Sequence, residues 1–513
     1  MTTRKILFAC LPSLLLLNAN AVLHSEINLP ALLSSHMVLQ RGQPIHIWGS
    51  ATPGESVSVD FKNVQQNTIA DRLGRWDLSL PPKSAGGPYK LTVKGTNVLE
   101  LEDVMVGDVW FASGQSNMEM PLAGFPGSAV VTNADEEIRN ANQPNLRLLI
   151  VPHKTSNFPQ RDFGPTAWTT CTPETAAKFS AVAYFFGKQL AEREHVTIGL
   201  IDSTWGGTPA EAWTSMHSLA SDAALMPVFA QWADFADQQT DITAIIEAEK
   251  REDAAARQEN KPAPNHPWHP NPGSWQPAAL FNAMVAPAVD FRIKGVIWYQ
   301  GESNGGAGRA SLYEKVLPTL IADWRTNWHQ GNFPFLFVQI ANFKSGPQET
   351  WPIIREAQRR TLSVANTGMA VTIDIGDPDN VHPANKQDVG TRLALAARKL
   401  TYGEDIEDAG PLYRQTAVEG SAIRVWFDHT AGGIAAQTDA TVKGFEIAGP
   451  DHHFVSANAK IDGETVVVSS NSVAQPKYVR YGWANAPILN LRNGEKLPAS
   501  PFTSEEQIPP PLP

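Results

Sequence analysis

At 513 residues the chain is several times the length of an ordinary domain, so more than one hydrophobic core is expected. Its 41 Lys+Arg against 52 Asp+Glu give a net charge of −11, which argues against a general affinity for nucleic acid or anionic membrane. Cys10 and Cys171 are the only cysteines, so neither a disulfide framework nor a cysteine-ligated metal cluster organises the fold.

The first segment, Met1 to Ala21, reads as an export leader. Arg4 and Lys5 precede an apolar run from Ile6 to Leu17, and Ala19-Asn20-Ala21 forms a small-x-small cleavage site. An apolar run of about 12 residues is too short to span a bilayer. The mature protein is therefore expected in the periplasm or outside the cell, with no membrane insertion after leader cleavage. Residues 22–103 alternate short β-type runs with turn signals. Ile45-His46-Ile47-Trp48, Ser56-Val57-Ser58-Val59 and Tyr89-Lys90-Leu91-Thr92-Val93 are punctuated by Thr52-Pro53-Gly54 and Gly86-Gly87-Pro88, predicting a β-sandwich.

From residue 104 to about 405 the texture changes. Continuous apolar runs at Val109–Ala112, Thr197–Ile201, Gly295–Tyr299, Phe335–Ile340 and Met369–Ile373 are spaced by helical stretches, predicting a buried parallel sheet in a three-layer α/β domain. Within it, residues 215–276 form a helical, charged and then Pro- and His-rich insertion. The strand-and-turn texture returns over 406–513 in a second β module with a proline-rich tail.

Two serines compete as nucleophile. Gly301-Glu302-Ser303-Asn304-Gly305 follows a strand and matches G-x-S-x-G. Asn304-Gly305-Gly306 then breaks any helix, whereas that pattern requires one to follow the serine at once. Ser116, in Gly114-Gln115-Ser116-Asn117-Met118, stands at the exit of the first strand of the α/β domain, where open parallel sheets place their ligands. An ordinary turn or N-cap serine would look the same. Gly206-Gly207 also follows a strand, so the Gly206 N–H can approach a substrate unobstructed by a Cβ. Asp379-Asn380-Val381-His382-Pro383 sets a carboxylate three residues before an imidazole, with Pro383 suited to the first position of a helix from Ala384 to Leu400. Such a pair is the base and orienter that a serine nucleophile needs. A capping His and a turn Asp are the plainer alternative.

Taken together, Ser113-Gly114-Gln115-Ser116-Asn117-Met118, Trp205-Gly206-Gly207-Thr208, Trp298-Tyr299-Gln300-Gly301-Glu302-Ser303-Asn304 and Val381-His382-Pro383 resemble the sialate O-acetylesterase family of the SGNH (GDSL-like) hydrolases. The resemblance extends from His36-Met37-Val38-Leu39-Gln40-Arg41 to Leu497-Pro498-Ala499-Ser500-Pro501-Phe502, nearly the whole mature chain. It implies a flavodoxin-like SGNH domain with accessory β-sandwich modules, and removal of acetyl groups from sugars without metal or cofactor. Carried onto this sequence, Ser116 is the nucleophile, His382 the general base and acid, and Asp379 its orienter, with Glu302 the rival carboxylate. The oxyanion donors are Ser116 and Gly206 with the amide of Gln300, and Asn304 is second choice for the third donor. Trp213 and Asn304 are expected substrate contacts, as is the His266 to Trp275 loop. The expected partner is an acetylated oligo- or polysaccharide, either a plant cell-wall polymer such as xyloglucan or xylan, or O-acetyl sialic acid. A glycoside hydrolase using Glu302 and Asp379, or a non-catalytic polysaccharide-binding protein, is the alternative. Oligomeric state is not legible.

Overall fold

The computed structural model describes residues 26–508 apart from 239–241, 260, 265, 267–268, 347–349 and 438–440. The expected leader, Cys10 and the tail Pro509 to Pro513 lie outside the described residues. Near the N-terminus the period-two runs form antiparallel strands. Ile45–Ser50 pairs with Arg75–Leu80, and Ser56–Phe61 lies between Val64–Ile69 and Gly86–Lys94. Val57, Val59, Phe61, Leu91 and Val93 turn inward from alternate positions.

The 17-residue strand β1 (Val98–Gly114) carries the chain from this module into the next. Its first half pairs antiparallel with Gly86–Lys94, and its second half runs between two parallel neighbours. The change of texture near Val104 therefore marks where one strand passes from half-exposed to fully buried, and residues 103 and 104 lie inside it. A single core spans both regions.

The large sheet continues with β2 (Gln143–Ile150), β3 (Thr169–Cys171), β4 (Ile198–Thr204), β5 (Gly295–Tyr299), β6 (Phe335–Gln339) and β7 (Thr367–Val371), in the order β7-β6-β5-β1-β4-β2-β3. Every pairing is parallel except that of β3. All five apolar runs read from the sequence fall in this sheet. Around it lie the single turn α1 (Ser116–Glu119), α2 (Ala181–Glu194), α3 (Tyr313–Trp328), α4 (Trp351–Thr361) and α5 (Lys386–Leu400). α2 packs with α5, and α3 with α4. Asn385 caps α5 by accepting from the Asp388 N–H, so Pro383 precedes the helix instead of opening it.

The insertion contributes Met216–Ala220, Pro227–Gln238, Ile242–Gln258 and Pro272–Trp275. His266 and His269 bond Asp253 and Glu249 of the third of these helices, which ties the loop down. Beyond residue 410 two four-stranded sheets close over their own core of Val425, Val466, Val479, Tyr481 and Phe502. Among the described residues, no helix is long and apolar enough to cross a membrane.

Arg355, fully buried on α4, joins the C-terminal module to the large sheet. Its guanidinium donates to the carbonyls of Ile340, Ala341, Ala484 and Asn485 at 2.7–3.0 Å. Arg355→Leu strands the buried carbonyls of Ile340 and Ala341 and unties those of Ala484 and Asn485, so a loss of roughly 3–5 kcal/mol is expected, read as a lowered denaturant midpoint.

Candidate active site

The register of the sheet assembles the site. Gly114 at the end of β1 stands opposite Thr204 of β4 on one side and Tyr299 of β5 on the other. The three following loops, Gln115-Ser116, Trp205-Gly206 and Gln300 to Glu302, thus emerge side by side at the carboxyl edge, where β1 has its successors on opposite flanks and a crevice opens. Gly114 permits the closeness. Its φ is +135°, and a Cβ there would fall 2.1 Å from the Tyr299 carbonyl oxygen. The Gln115 N–H bonds that carbonyl at 3.0 Å, and the Trp205 N–H bonds the Gly114 carbonyl at 3.1 Å.

A cleft of about 860 Å³ opens there, lined by Ser116, Gly206, Glu302, Ser303 and His382 among others. Ser116 begins α1, in which the Met118 and Glu119 N–H groups bond the Gln115 carbonyl. Gly206 stands directly against it: a Cβ on Gly206 would lie 3.2 Å from Ser116 Cβ. The Gly206 N–H donates to Glu119 Oε2. Glu119 Oε1 lies 3.2 Å from His153 Nε2, and the His153 ring lies flat on Trp205, 4.5 Å between centroids and 3° from parallel. Burial disfavours a charge on His153, but its bond to Glu119, the Glu119 charge and a bond to the Thr204 backbone outweigh burial and raise its pKa.

His382 is half-buried, its ring edge-on to Phe125 at 5.2 Å. Burial first, and the charge of Lys386 second, push its pKa down to about 4, against the opposing pull of Glu119. A depressed pKa favours the neutral imidazole, the form in which a ring nitrogen can accept a proton.

Asp379 does not accompany it. Its carboxylate is 78% exposed and bonds Lys344 Nζ at 2.8 Å. The local turn explains this: the His382 N–H is held by the Asn380 side chain at 2.9 Å and the Asp379 N–H by Asp377, which sends the Asp379 side chain outward. Of the two carboxylates weighed for His382, Glu302 is the one that lines the cleft. Its Oε1 accepts from Asn117 Nδ2 at 2.6 Å, and the same amide group donates to the carbonyl of Val381, the residue before His382. Its Oε2 is buried without a hydrogen-bond partner. Burial raises the Glu302 pKa and drops that of Lys386 to about 7.

Three expected contacts lie elsewhere. Gln300 is fully buried, its amide donating to the Thr208 carbonyl and Asn304 Oδ1 and accepting from Tyr313 Oη. Asn304 joins the same network, bonding Glu211 at 2.8 Å and accepting from the Ala210 N–H. Trp213 is wholly buried, with its indole N–H on Thr208. All three shape the wall behind the glycine loop. The tryptophans that do line the cleft are Trp205, Trp275 and Trp351. Trp275, from the insertion, donates to the Gly207 carbonyl at 2.6 Å and so fixes that loop. Ser303, though it lines the cleft, has its N–H on Gln115 Oε1 and sits in a single 3₁₀ turn.

Comparison with known proteins fits this architecture. The family model of carbohydrate esterases described as sialic acid-specific acetylesterase matches residues 267–399. Sialate O-acetylesterase of Mus musculus is 30% identical over 526 aligned residues, covering 92% of this chain and 93% of the mouse protein. The Homo sapiens enzyme is 32% identical over 421 residues, covering 74% and 72%. The crystal structure of a carbohydrate acetylesterase from Xanthomonas citri superposes with a TM-score of 0.80 at 37% identity, covering 94% of this chain and all of that one. The molecule is thus a carboxylic ester hydrolase of the carbohydrate acetylesterase class. It belongs to the sialate O-acetylesterase family.

Proposed function

We propose that the protein is an exported carbohydrate O-acetylesterase working through a serine acyl-enzyme on a flavodoxin-like SGNH scaffold. With the edge strands β2 and β3 set aside, the sheet order β4-β1-β5-β6-β7 supports that scaffold. Export rests on the leader read from Met1 to Ala21. The observation that carries the reading is the convergence of Ser116, Gly206 and His382 on one cleft, with the Gly206 N–H beside Ser116.

Ser116 Oγ attacks the acetyl carbonyl carbon while His382 takes its proton. The carbonyl oxygen displaces the Glu119 carboxylate from the Gly206 N–H and becomes the oxyanion, held there and by the Ser116 N–H. Each such donor is worth about 2.7–4 kcal/mol of barrier. As the tetrahedral intermediate collapses, the bond to the sugar oxygen breaks and His382 returns the proton to it. Water then attacks the acetyl-enzyme, giving its proton to His382, and acetate leaves as Ser116 recovers a proton.

Glu302 supports His382 here in place of Asp379, through the Asn117 bridge to Val381 and its uncommitted Oε2. Asp379→Ala should keep kcat within about threefold, since exposed ion pairs contribute little. Glu302→Gln should lower it by about two orders of magnitude. Steady-state rates on an aryl acetate separate the two. The glycosidase alternative rested on Glu302 and Asp379 flanking one cleft, and Asp379 lies exposed on Lys344 instead of facing Glu302. Acetylated xylan, xyloglucan and O-acetyl sialic acid all remain in range of the cleft. A panel of these glycans assayed for released acetate tests the reading, and reducing sugar released without acetate would sink it.

A further inference from the structure

We propose that Lys386 and Asn117 are positioning residues for the acyl transfer: with Glu302 they form a buried chain of ammonium, amide and carboxylate that fastens the turn of the nucleophile to the loop of the base. This rests on the serine acyl-enzyme reading above. Asn117 directly follows Ser116 and Val381 directly precedes His382, so a bond between Asn117 and Val381 ties the two reacting groups together. Asn117 Nδ2 makes that bond, to the Val381 carbonyl at 3.0 Å, and a second to Glu302 Oε1 at 2.6 Å. On the other side of the amide, Oδ1 accepts from Lys386 Nζ at 2.5 Å.

Lys386 is the first residue of α5 and is fully buried, one helical turn's length of chain beyond His382. Its ammonium can only donate, while the carbonyl and the ionised carboxylate can only accept. The Asn117 amide therefore has one orientation that satisfies all three partners, and turning it over would set Oδ1 against two oxygens. Glu302 supplies the opposite charge across the amide, and the Tyr299 ring lies 5.7 Å from the ammonium. A buried ion pair stabilises a fold no better than apolar groups of the same volume. What the ammonium does to the amide and the imidazole explains its presence better than the fold does. Of the charged groups that act on His382, Lys386 disfavours the imidazolium and Glu119 favours it. The buried Tyr299 hydroxyl and Arg355 of α4 complete the titratable set around Glu302. Burial brings the Lys386 pKa down only to about 7, so in acid it carries its full charge.

The test uses the full chain, p-nitrophenyl acetate as substrate, and the variants Lys386→Met and Asn117→Ala. Each should lower kcat by about tenfold or more, as misplaced reacting groups do. KM should stay within about threefold, because neither residue lines the cleft. Links of one chain act together, so the double variant should be no more than about threefold slower than the slower single one. In Lys386→Met the cation that opposes the imidazolium is gone. The His382 pKa then rises, and the acid limb of kcat/KM should move up by about one pH unit. A side chain that served the fold alone would lower the melting temperature and leave that limb in place. Should Lys386→Met fail to fold, Lys386→Met/Glu302→Gln removes both charges and strands neither, and its limb should lie above that of Glu302→Gln by the same shift. A kcat within about threefold of the unaltered protein in either single variant, losses that multiply in the double, or an acid limb that stays in place overturns the proposal. Those results in a protein that hydrolyses the ester normally refute the chain alone. An unaltered protein that hydrolyses no acetate ester refutes the acetylesterase reading as well.

Discussion

Ser116→Ala should lower kcat for p-nitrophenyl acetate by about four orders of magnitude or more, to the residue of rate that binding and the oxyanion donors supply alone. The expectation follows from position. Ser116 opens a helical turn at the end of the central strand, against the Gly206 N–H, in the same cleft as His382. Its side chain is only partly buried, so removing the hydroxyl should change stability by less than about 1 kcal/mol, and an unchanged thermal melt would show that the loss is chemical. Ser303→Ala is the matched control. It shares the cleft, but its N–H is on Gln115 Oε1 and it sits in a single 3₁₀ turn, and its variant should retain activity within about tenfold. If Ser303→Ala were the dead variant and Ser116→Ala the active one, the nucleophile would be misassigned.

His382→Ala should be comparably damaging, since base and nucleophile act as a unit and removing either costs nearly what removing both does. The pH profile gives a sharper signature. A base must be unprotonated to accept the serine proton. The His382 pKa is depressed to about 4 by burial and by Lys386, so its active form persists above that pH and is lost only as pH falls through it. The acid limb of kcat/KM should therefore lie well below the ordinary imidazole value of about 6.5. A limb at or above 6.5 would mean that a carboxylate contacts His382 in the working enzyme more closely than Glu119 or Glu302 does in the resting one.

Much of the framework was legible because it depends on local patterns. Runs such as Gly295–Tyr299 and Phe335–Val338 are apolar throughout because both faces of the sheet are covered, and that signal needs no tertiary knowledge. That Ser116, Gly206 and His382 would come to one cleft was legible because each stands in a loop after a strand or before a helix, where the carboxyl edge of a parallel sheet opens. What failed depended on side-chain direction. Gln300 and Asn304 stand two and six residues after Trp298 in the motif-bearing loop, yet they turn inward to satisfy Thr208, Ala210 and Glu211, buried groups that need partners. Asp379 has the right spacing from His382, but Asn380 holds the turn and Lys344 draws the carboxylate outward. Trp213 follows the glycine motif closely and is nonetheless core, its indole N–H satisfied by Thr208.

Two residues went unread. Glu119 had a signal, standing one helical turn from Ser116 and so on the same face. His153 had none. It reaches the cleft because the Val151 N–H pairs with the Asp202 carbonyl at the end of β4, a contact between segments about fifty residues apart in the chain. The cleft's aromatic wall is similar, built from Trp205 after β4, Trp275 of the insertion and Trp351 at the start of α4. Composition alone could count tryptophans but not say which three of them face Ser116.

The most direct test of the account is to trap the intermediate. The protein is mixed with excess p-nitrophenyl acetate, quenched in acid within the first turnovers, digested and mapped by mass spectrometry. One acetyl group should appear on the peptide containing Ser116, vanish in Ser116→Ala and persist in Ser303→Ala. An acetyl group on Ser303, or turnover at full rate with no acetylated peptide at any quench time, would contradict it.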